Sequence, residues 1–356
     1  MRQSYCIAMD VHSRTTELVV GTPGGRIRDQ WSRRTTIPDL TEVIKTVPRP
    51  RMVVMEEGPM ADWLCRHLRQ AADDVIVCDP RRNHLVANDG DKDDPIDARK
   101  LLQLTQGGFI RQVHHSESDG RAGFKRQVRL YHDRVRHRVA EGNRIIWFFR
   151  HAGIVISSAE INDPAKARVQ LEALPDRRWR SDAVLLLEGY EMARRQEELL
   201  GRLITRTARK IDVIRRWVEL PGIKWIRGAT FYAYLDTPWR FKSKAALWKY
   251  MGIGLERSRS GMGPTRFRLP RQCNRTLKGA ILGAALKATS SSGENPFADR
   301  NKELLARGLS PSAARRTVAR SLAAVMWSMW KTETAYHPQW VGLPAEELAR
   351  IRGGSE

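Results

Sequence analysis

Ile7-Ala8-Met9-Asp10-Val11 decides the fold class. A short apolar run that meets an acid reads as a buried strand with a carboxylate at its carboxyl end. Met52-Val53-Val54-Met55-Glu56 repeats the pattern. Open α/β sheets bind their ligands outside the carboxyl ends of the strands, so both acids fall where a site forms. A third stretch, Asp93-Asp94-Pro95-Ile96-Asp97-Ala98, adds two more. Pro95 suits the first turn of a helix, and i,i+3 spacing then puts Asp94 and Asp97 on one face. Four carboxylates do not all stay ionised in one pocket without a cation to offset their repulsion. Hard oxygen ligands select Mg²⁺, with Mn²⁺ as a substitute. Taken singly, each acid has an ordinary reading as a turn residue, or as the N-cap in the case of Asp94. Glu57 and Asp93 compete for their neighbours' roles. Strand alternation decides only that Glu56 and Glu57 do not both face the pocket.

The pattern around these acids is mixed α/β. Residues 5–11, 15–21 and 26–35 read as strands, with Gly24-Gly25 turning the second into the third. Helical spacing follows over 37–47, then the Glu56 strand, a helix over 61–71, a strand over 74–78, a loop over 80–90 and a helix from Pro95. Three early strands, with one acid on the first and another on a later strand, fit a ribonuclease-H-like domain over residues 1–115.

Residues 116–218 change character. Phe124, Val128, Val135, Val139 and Ile145 recur among dense arginines at helical spacing, and a second long helix reads over 180–218. The two form a helical linker, an antiparallel pair as a coiled coil or bundle suited to oligomerisation. The stretch 164–175 between them is less regular. A third region, 219–340, opens at Leu220-Pro221-Gly222-Ile223-Lys224, where Pro-Gly breaks the helix. This entry is either helix-hairpin-helix-like, with backbone N–H groups placed to hold a phosphate, or a plain interhelical turn. The region reads as mostly helical, with basic loops at 254–276 and a tail over 341–356. Trp217, Trp225, Trp239, Trp248, Trp327 and Trp330 read as core, and none is assigned to base stacking.

Charge divides the chain as sharply as pattern does. The net charge is +22, yet residues 1–110 hold 16 Lys/Arg and 16 Asp/Glu, so the whole excess lies in 111–356. An acid-bearing neutral module joined to a basic one couples metal chemistry to polyanion binding. No apolar stretch approaches a membrane span and the N-terminus leaves no room for a signal peptide, so the expectation is a cytoplasmic, nucleoid-associated protein. Cys6, Cys65, Cys78 and Cys273 lack C-x-x-C spacing and read as free thiols rather than zinc ligands.

A second constellation lies in Gly254-Leu255-Glu256-Arg257-Ser258-Arg259-Ser260-Gly261. A serine hydroxyl among guanidinium groups is placed to attack a phosphate whose oxygens the arginines stabilise. The competing reading is an ordinary Ser-Gly turn. Ser258 is a rival, while Ser292-Gly293 has fewer cations nearby. Arg257, Arg259, Arg266, Arg268, Arg271, Asn274, Arg275 and Lys278 are candidate nucleic-acid contacts, or else a solvated face.

With both constellations in view, the chain resembles the DEDD transposases of bacterial insertion sequences, the one-ten type that also includes the Piv and MooV DNA invertases. The matching pieces are Ala8-Met9-Asp10-Val11-His12, Met55-Glu56-Glu57-Gly58-Pro59, Asp94-Pro95-Ile96-Asp97-Ala98, Leu220-Pro221-Gly222-Ile223, and Ser260-Gly261 followed by Asn274-Arg275. The resemblance implies a RuvC-like N-terminal domain, a helical linker and a C-terminal transposase domain carrying a serine. It matches Asp10, Glu56, Asp94 and Asp97 to the family's metal-binding acids, in preference to Glu57 and Asp93, and Ser260 to the family's serine. It further implies attack of that serine on a DNA phosphodiester with Mg²⁺ assistance. Donor and target DNA, a homo-oligomer (dimer or tetramer) and a structured guide RNA are the implied partners. Cys273, where the family commonly has Gly, and Lys278, near a common Arg, depart from the pattern. The alternatives are a Mg-dependent RuvC-like junction nuclease that activates water and a Piv-like site-specific invertase.

Overall fold

A computed structural model of the chain describes residues 4–80, 94–259, 263–290 and 295–340. These form two compact units, 1–120 and 121–356.

The first unit is built on a five-stranded mixed sheet: β1 (Tyr5–Val11), β2 (Thr15–Gly21), β3 (Ile27–Arg34), β4 (Arg51–Glu56) and β5 (Asp74–Cys78), in the order β3-β2-β1-β4-β5. β1 to β3 are antiparallel neighbours, whereas β4 runs parallel to β1 and β5 parallel to β4. Parallel pairing needs a crossover, which α1 (Ile37–Thr46) and α2 (Ala61–Leu68) supply. Thr36 starts α1 by accepting the Asp39 N–H at 3.3 Å, with a proline in the first turn.

The apolar runs in β1 and β4 are buried on both faces, and their alternation sorts two cores. Ile7, Met9, Val53 and Met55 pack with Leu40 and Ile44 of α1 and Leu64 and Leu68 of α2. Cys6, Ala8 and Val54 pack instead with Ala98, Leu101 and Leu102 of α3 (Asp94–Gln106). Each fully buried Leu or Met on this sheet contributes about 2–3 kcal/mol of transfer free energy. Beneath the sheet's other end, the Arg51 guanidinium donates to the carbonyls of Lys45, Val47 and Ala71, fastening the segments after α1 and α2 to β4.

The second unit is helical. α4 (Asp119–His151) and α7 (Arg177–Ala208) run antiparallel. The Arg138–Glu197 ion pair at 2.6 Å and the Phe148–Trp179 ring pair at 5.0 Å mark successive levels. The stretch 164–175, expected to be less regular, is helical over most of its length as α6 (Pro164–Glu172), and the short α5 (Ser158–Asn162) precedes it. Ser157 and Glu160 form a capping box for α5, and Asp163 caps α6.

The helix read over 180–218 is in fact two, α7 and α8 (Asp212–Trp217). One continuous helix with Ile204 and Ala208 inward would bring Arg215 to the same face. The break after Ala208 rephases the chain, so that Val213, Ile214 and Trp217 enter the core instead. α9 (Trp225–Leu235), α10 (Lys244–Tyr250), α11 (Arg275–Thr289), α12 (Pro296–Ala306) and α13 (Pro311–Thr332) complete that core. Trp217 is fully buried and donates its indole N–H to the Met326 carbonyl at 2.9 Å. Trp239 departs from the expectation of core placement: it sits on a short 3₁₀ turn, Pro238–Arg240, and is 71% exposed.

Pro221-Gly222 makes the turn between α8 and α9. Gly222 has φ +78°, and a Cβ there would lie 2.1 Å from the Ala284 carbonyl oxygen. Only glycine meets both demands. Arg227 donates to the Gly222 carbonyl at 2.6 Å, closing the turn. No helix among the described residues is long and apolar enough to cross a membrane. Cys6, Cys65 and Cys78 are buried free thiols and Cys273 is half-buried.

Candidate active site

Asp10 and Glu56 follow a common rule of placement. Ala8 and Val54 face α3, so two residues further on Asp10 and Glu56 point to the same side. The parallel register ends at Met9 opposite Met55, which makes Asp10 and Glu56 the next positions on neighbouring strands. Asp10 keeps 26% of its side chain exposed, and Glu56 is exposed. Both acids therefore reach solvent.

α3 runs antiparallel to β1. A Cβ on Gly21, which pairs with Cys6 at the start of β1, would collide with Leu102 and Gln106 near the end of the helix. A cavity of about 800 Å³ lies at the same end, lined by Cys6, Met52, Thr105 and Gln106 among others. The start of α3 accordingly lies toward Asp10 and Glu56. Asp97 is exposed next to buried Ala98, one turn ahead of Leu101. Asp94 begins the helix; its side chain and all of Asp93 lie outside the described residues. Among the described residues, no group of three or more His, Cys, Asp and Glu side chains is close enough to hold a metal ion.

His12 is a site neighbour to which sequence reasoning gave no role. Its Nε2 lies 3.0 Å from Asp10 Oδ2, and its carbonyl accepts from the Thr35 hydroxyl at 2.8 Å. The i,i+2 spacing on a strand was the available signal, since it puts both side chains on one face.

Glu57 meets a different set of groups. His115 Nε2 is 2.6 Å from Glu57 and its Nδ1 3.2 Å from Asp62, in the first turn of α2. Arg66 in turn binds Asp62 at 2.5 Å and Asp119 at 2.6 Å. Burial opposes a charge on His115, but the Glu57 and Asp62 carboxylates outweigh it and hold the imidazole above its usual pKa.

In the helical unit, the basic stretch 254–276 contains a small hairpin of β6 (Glu256–Ser258) and β7 (Arg266–Arg268). Ser258 pairs with Arg266, Arg257 with Phe267 and Glu256 with Arg268. Ser260 falls in the connection between these strands and lies outside the described residues, as does Ser292. Arg257, Arg259, Arg266, Arg268, Arg271 and Arg275 are all exposed, and Phe267 is 64% exposed between two arginines.

Asn274 serves the scaffold. It caps α11 by accepting the Leu277 N–H at 2.9 Å and donates to the Tyr250 hydroxyl at 3.1 Å. Lys278 is half-buried, and its stem would meet a Cβ on Gly252, which has φ +70°. A Cβ on the same glycine would also meet Cys273, so Cys273 and Lys278 close on one backbone position.

Residues 215–300 match the model of the Transposase IS116/IS110/IS902 family. The matched stretch runs from α8 into α12 and contains the Pro221-Gly222 turn, the β6–β7 hairpin, Ser260 and α11. It supports a DNA transposase or recombinase of the one-ten type, an enzyme whose substrate is DNA. No curated protein matches the chain.

Proposed function

We propose that the chain is a DNA transposase that cleaves and rejoins strands with Ser260 as nucleophile and with Mg²⁺ held by Asp10, Glu56, Asp94 and Asp97. One observation carries this reading: a chain whose Asp10 and Glu56 share a face at neighbouring strand ends also holds a transposase-family stretch around Ser260. The sheet order, three antiparallel strands followed by two parallel ones beside a central β1, supports a RuvC-like first domain.

The donors suit the metal in their chemistry, although those among the described residues are not gathered around one point. Asp10, Glu56 and Asp97 offer carboxylate oxygens, without the thiolates that would select a softer ion. Bound Mg²⁺ would supply polarisation of the scissile phosphate and of the leaving oxygen. The Ser260 hydroxyl oxygen attacks phosphorus as its proton departs, and the bond from phosphorus to the 3′ oxygen breaks. That oxygen leaves as a protonated 3′-hydroxyl, and the 5′-phosphate stays on the serine. Rejoining reverses the step: a 3′-hydroxyl attacks phosphorus and Ser260 recovers its proton. Bond energy is conserved, so no nucleotide cofactor is required. Arg257, Arg259 and Arg266 flank the serine in sequence and offset charge on the phosphate oxygens. A homo-oligomer and a structured guide RNA belong to the same proposal; sequencing RNA that copurifies with the protein tests the latter.

Strand exchange on supercoiled DNA carrying the flanks of the gene tests the whole reading. Asp10→Asn and Ser260→Ala should each abolish recombination while leaving DNA affinity within about 2-fold. Normal exchange by Ser260→Ala would rule out the serine mechanism, whereas hydrolytic cleavage without exchange in both proteins would leave the metal-dependent nuclease reading in its place.

A further inference from the structure

An exposed tryptophan on a rigid support carries the inference. Trp239 is 71% exposed, although its neighbours Pro238 and Phe241 are buried. The turn that bears it is fixed from three sides. Thr237 Oγ1 accepts the Trp239 backbone N–H at 3.2 Å, Trp327 donates its indole N–H to the Pro238 carbonyl at 2.7 Å, and Arg240 donates to the Tyr234 carbonyl at 2.9 Å. The turn is thus held by three hydrogen bonds, and it presents the indole from a fixed backbone rather than from a frayed end.

The charges around it select the ligand. Lys331 Nζ lies 5.1 Å from the Trp239 ring centroid and 3.8 Å from that of Trp327. Lys242 and Lys244 follow on the exposed side, while Asp236, the one acid between residues 236 and 244, is buried. An exposed indole with the Lys331 ammonium group beside it, and exposed lysines close by in sequence, suits a nucleobase with its phosphates. Stacking on a free indole requires a base that is not already stacked and paired in a duplex. We propose that Trp239, backed by Lys331, is a stacking platform for an unpaired base of single-stranded nucleic acid. The proposal rests on the reading that the helical unit binds nucleic acid, and it adds a contact outside the Ser260 hairpin. A displaced DNA strand and an unpaired RNA segment offer the same chemistry.

Fluorescence anisotropy on the full chain tests it, with a labelled 20-nucleotide oligothymidylate, the same backbone without bases, a 20-nucleotide oligouridylate and a 20-base-pair duplex. Trp239→Ala should weaken binding to oligothymidylate by about 10-fold or more, and Trp239→Phe by no more than about 3-fold. Both should bind the baseless strand and the duplex within about 2-fold of wild type. An equal loss on oligouridylate assigns the platform to RNA as well, and a loss confined to oligothymidylate assigns it to DNA; either supports stacking. Unchanged affinity for both base-bearing single strands in Trp239→Ala overturns the platform, as does an equal loss on the baseless strand. Failure of the wild type to bind any probe overturns the nucleic-acid reading itself. Circular dichroism of Trp239→Ala should match wild type, since the ring is outside the core.

Discussion

Asp10 and Glu56 are adjacent across a parallel strand pair, one position beyond Met9 and Met55, on the side of the sheet that α3 covers. Glu57, one residue further on, is paired with His115 instead.

This relationship separates two neighbouring glutamates by function. Glu56→Gln should lower strand cleavage by about 100-fold or more, the scale for losing one charge-stabilising group. Glu57→Gln should lower thermal stability and spare most of the cleavage rate. Cleavage kinetics on a nicked substrate, run beside thermal melts, would expose a reversed order.

Two histidines give opposite pH signatures. His115 has a raised pKa in the fold, so its contribution is complete below its unfolded value of about 6.5 and is lost as pH rises through the folded value. His132 is pushed down to about 4 by burial and by Arg136. It accordingly costs stability as pH falls from about 6.5 toward 4. Its neutral Nε2–H donates to Thr230, whose own hydroxyl proton goes to the Ile226 carbonyl. Urea titrations across pH should lose the alkaline slope in His115→Gln and the acid slope in His132→Gln. Unchanged slopes would remove these residues from the account.

Gly222 should be the least replaceable glycine in the helical unit. An alanine there meets the Ala284 carbonyl at 2.1 Å and a left-handed backbone, for a cost of about 2–4 kcal/mol. Gly308 has φ +83° but open space around it, and its alanine variant should lose only about 1–2 kcal/mol. Chemical denaturation of both variants compares the two terms directly.

DNA affinity should fall steeply with salt, because displaced counterions drive phosphate binding. Arg266→Ala or Arg271→Ala should each reduce the log–log salt slope by about 1. A slope that neither substitution changes would place the interface elsewhere on the chain.

Much of the first unit was legible because its strands are bounded apolar runs of period two. The expected bounds of β1, β2 and β5 coincide with those in the structure. The same period predicts which face Asp10 and Glu56 share. The β6–β7 hairpin was hidden because its exposed, arginine-rich strands of three residues carry no apolar alternation. The break after Ala208 was hidden because Arg209 and Lys210 favour helix as well as their neighbours do, and only the tertiary fit of Trp217 requires it. His115 lies 58 residues from Glu57 in sequence, a separation that local pattern cannot bridge. Trp239 reads as core from its sequence because tryptophan is highly buried on average, and only its surroundings in the fold distinguish it.

Covalent chemistry at Ser260 separates a transposase from a nuclease. Incubating the protein with end-labelled DNA and Mg²⁺, followed by denaturing electrophoresis and protease treatment, tests it most directly. A serine nucleophile gives a protease-sensitive protein–DNA adduct through the 5′-phosphate, present in wild type and Ser258→Ala and absent in Ser260→Ala. Strand cleavage by Ser260→Ala at the wild-type rate, with no adduct in either protein, would contradict it.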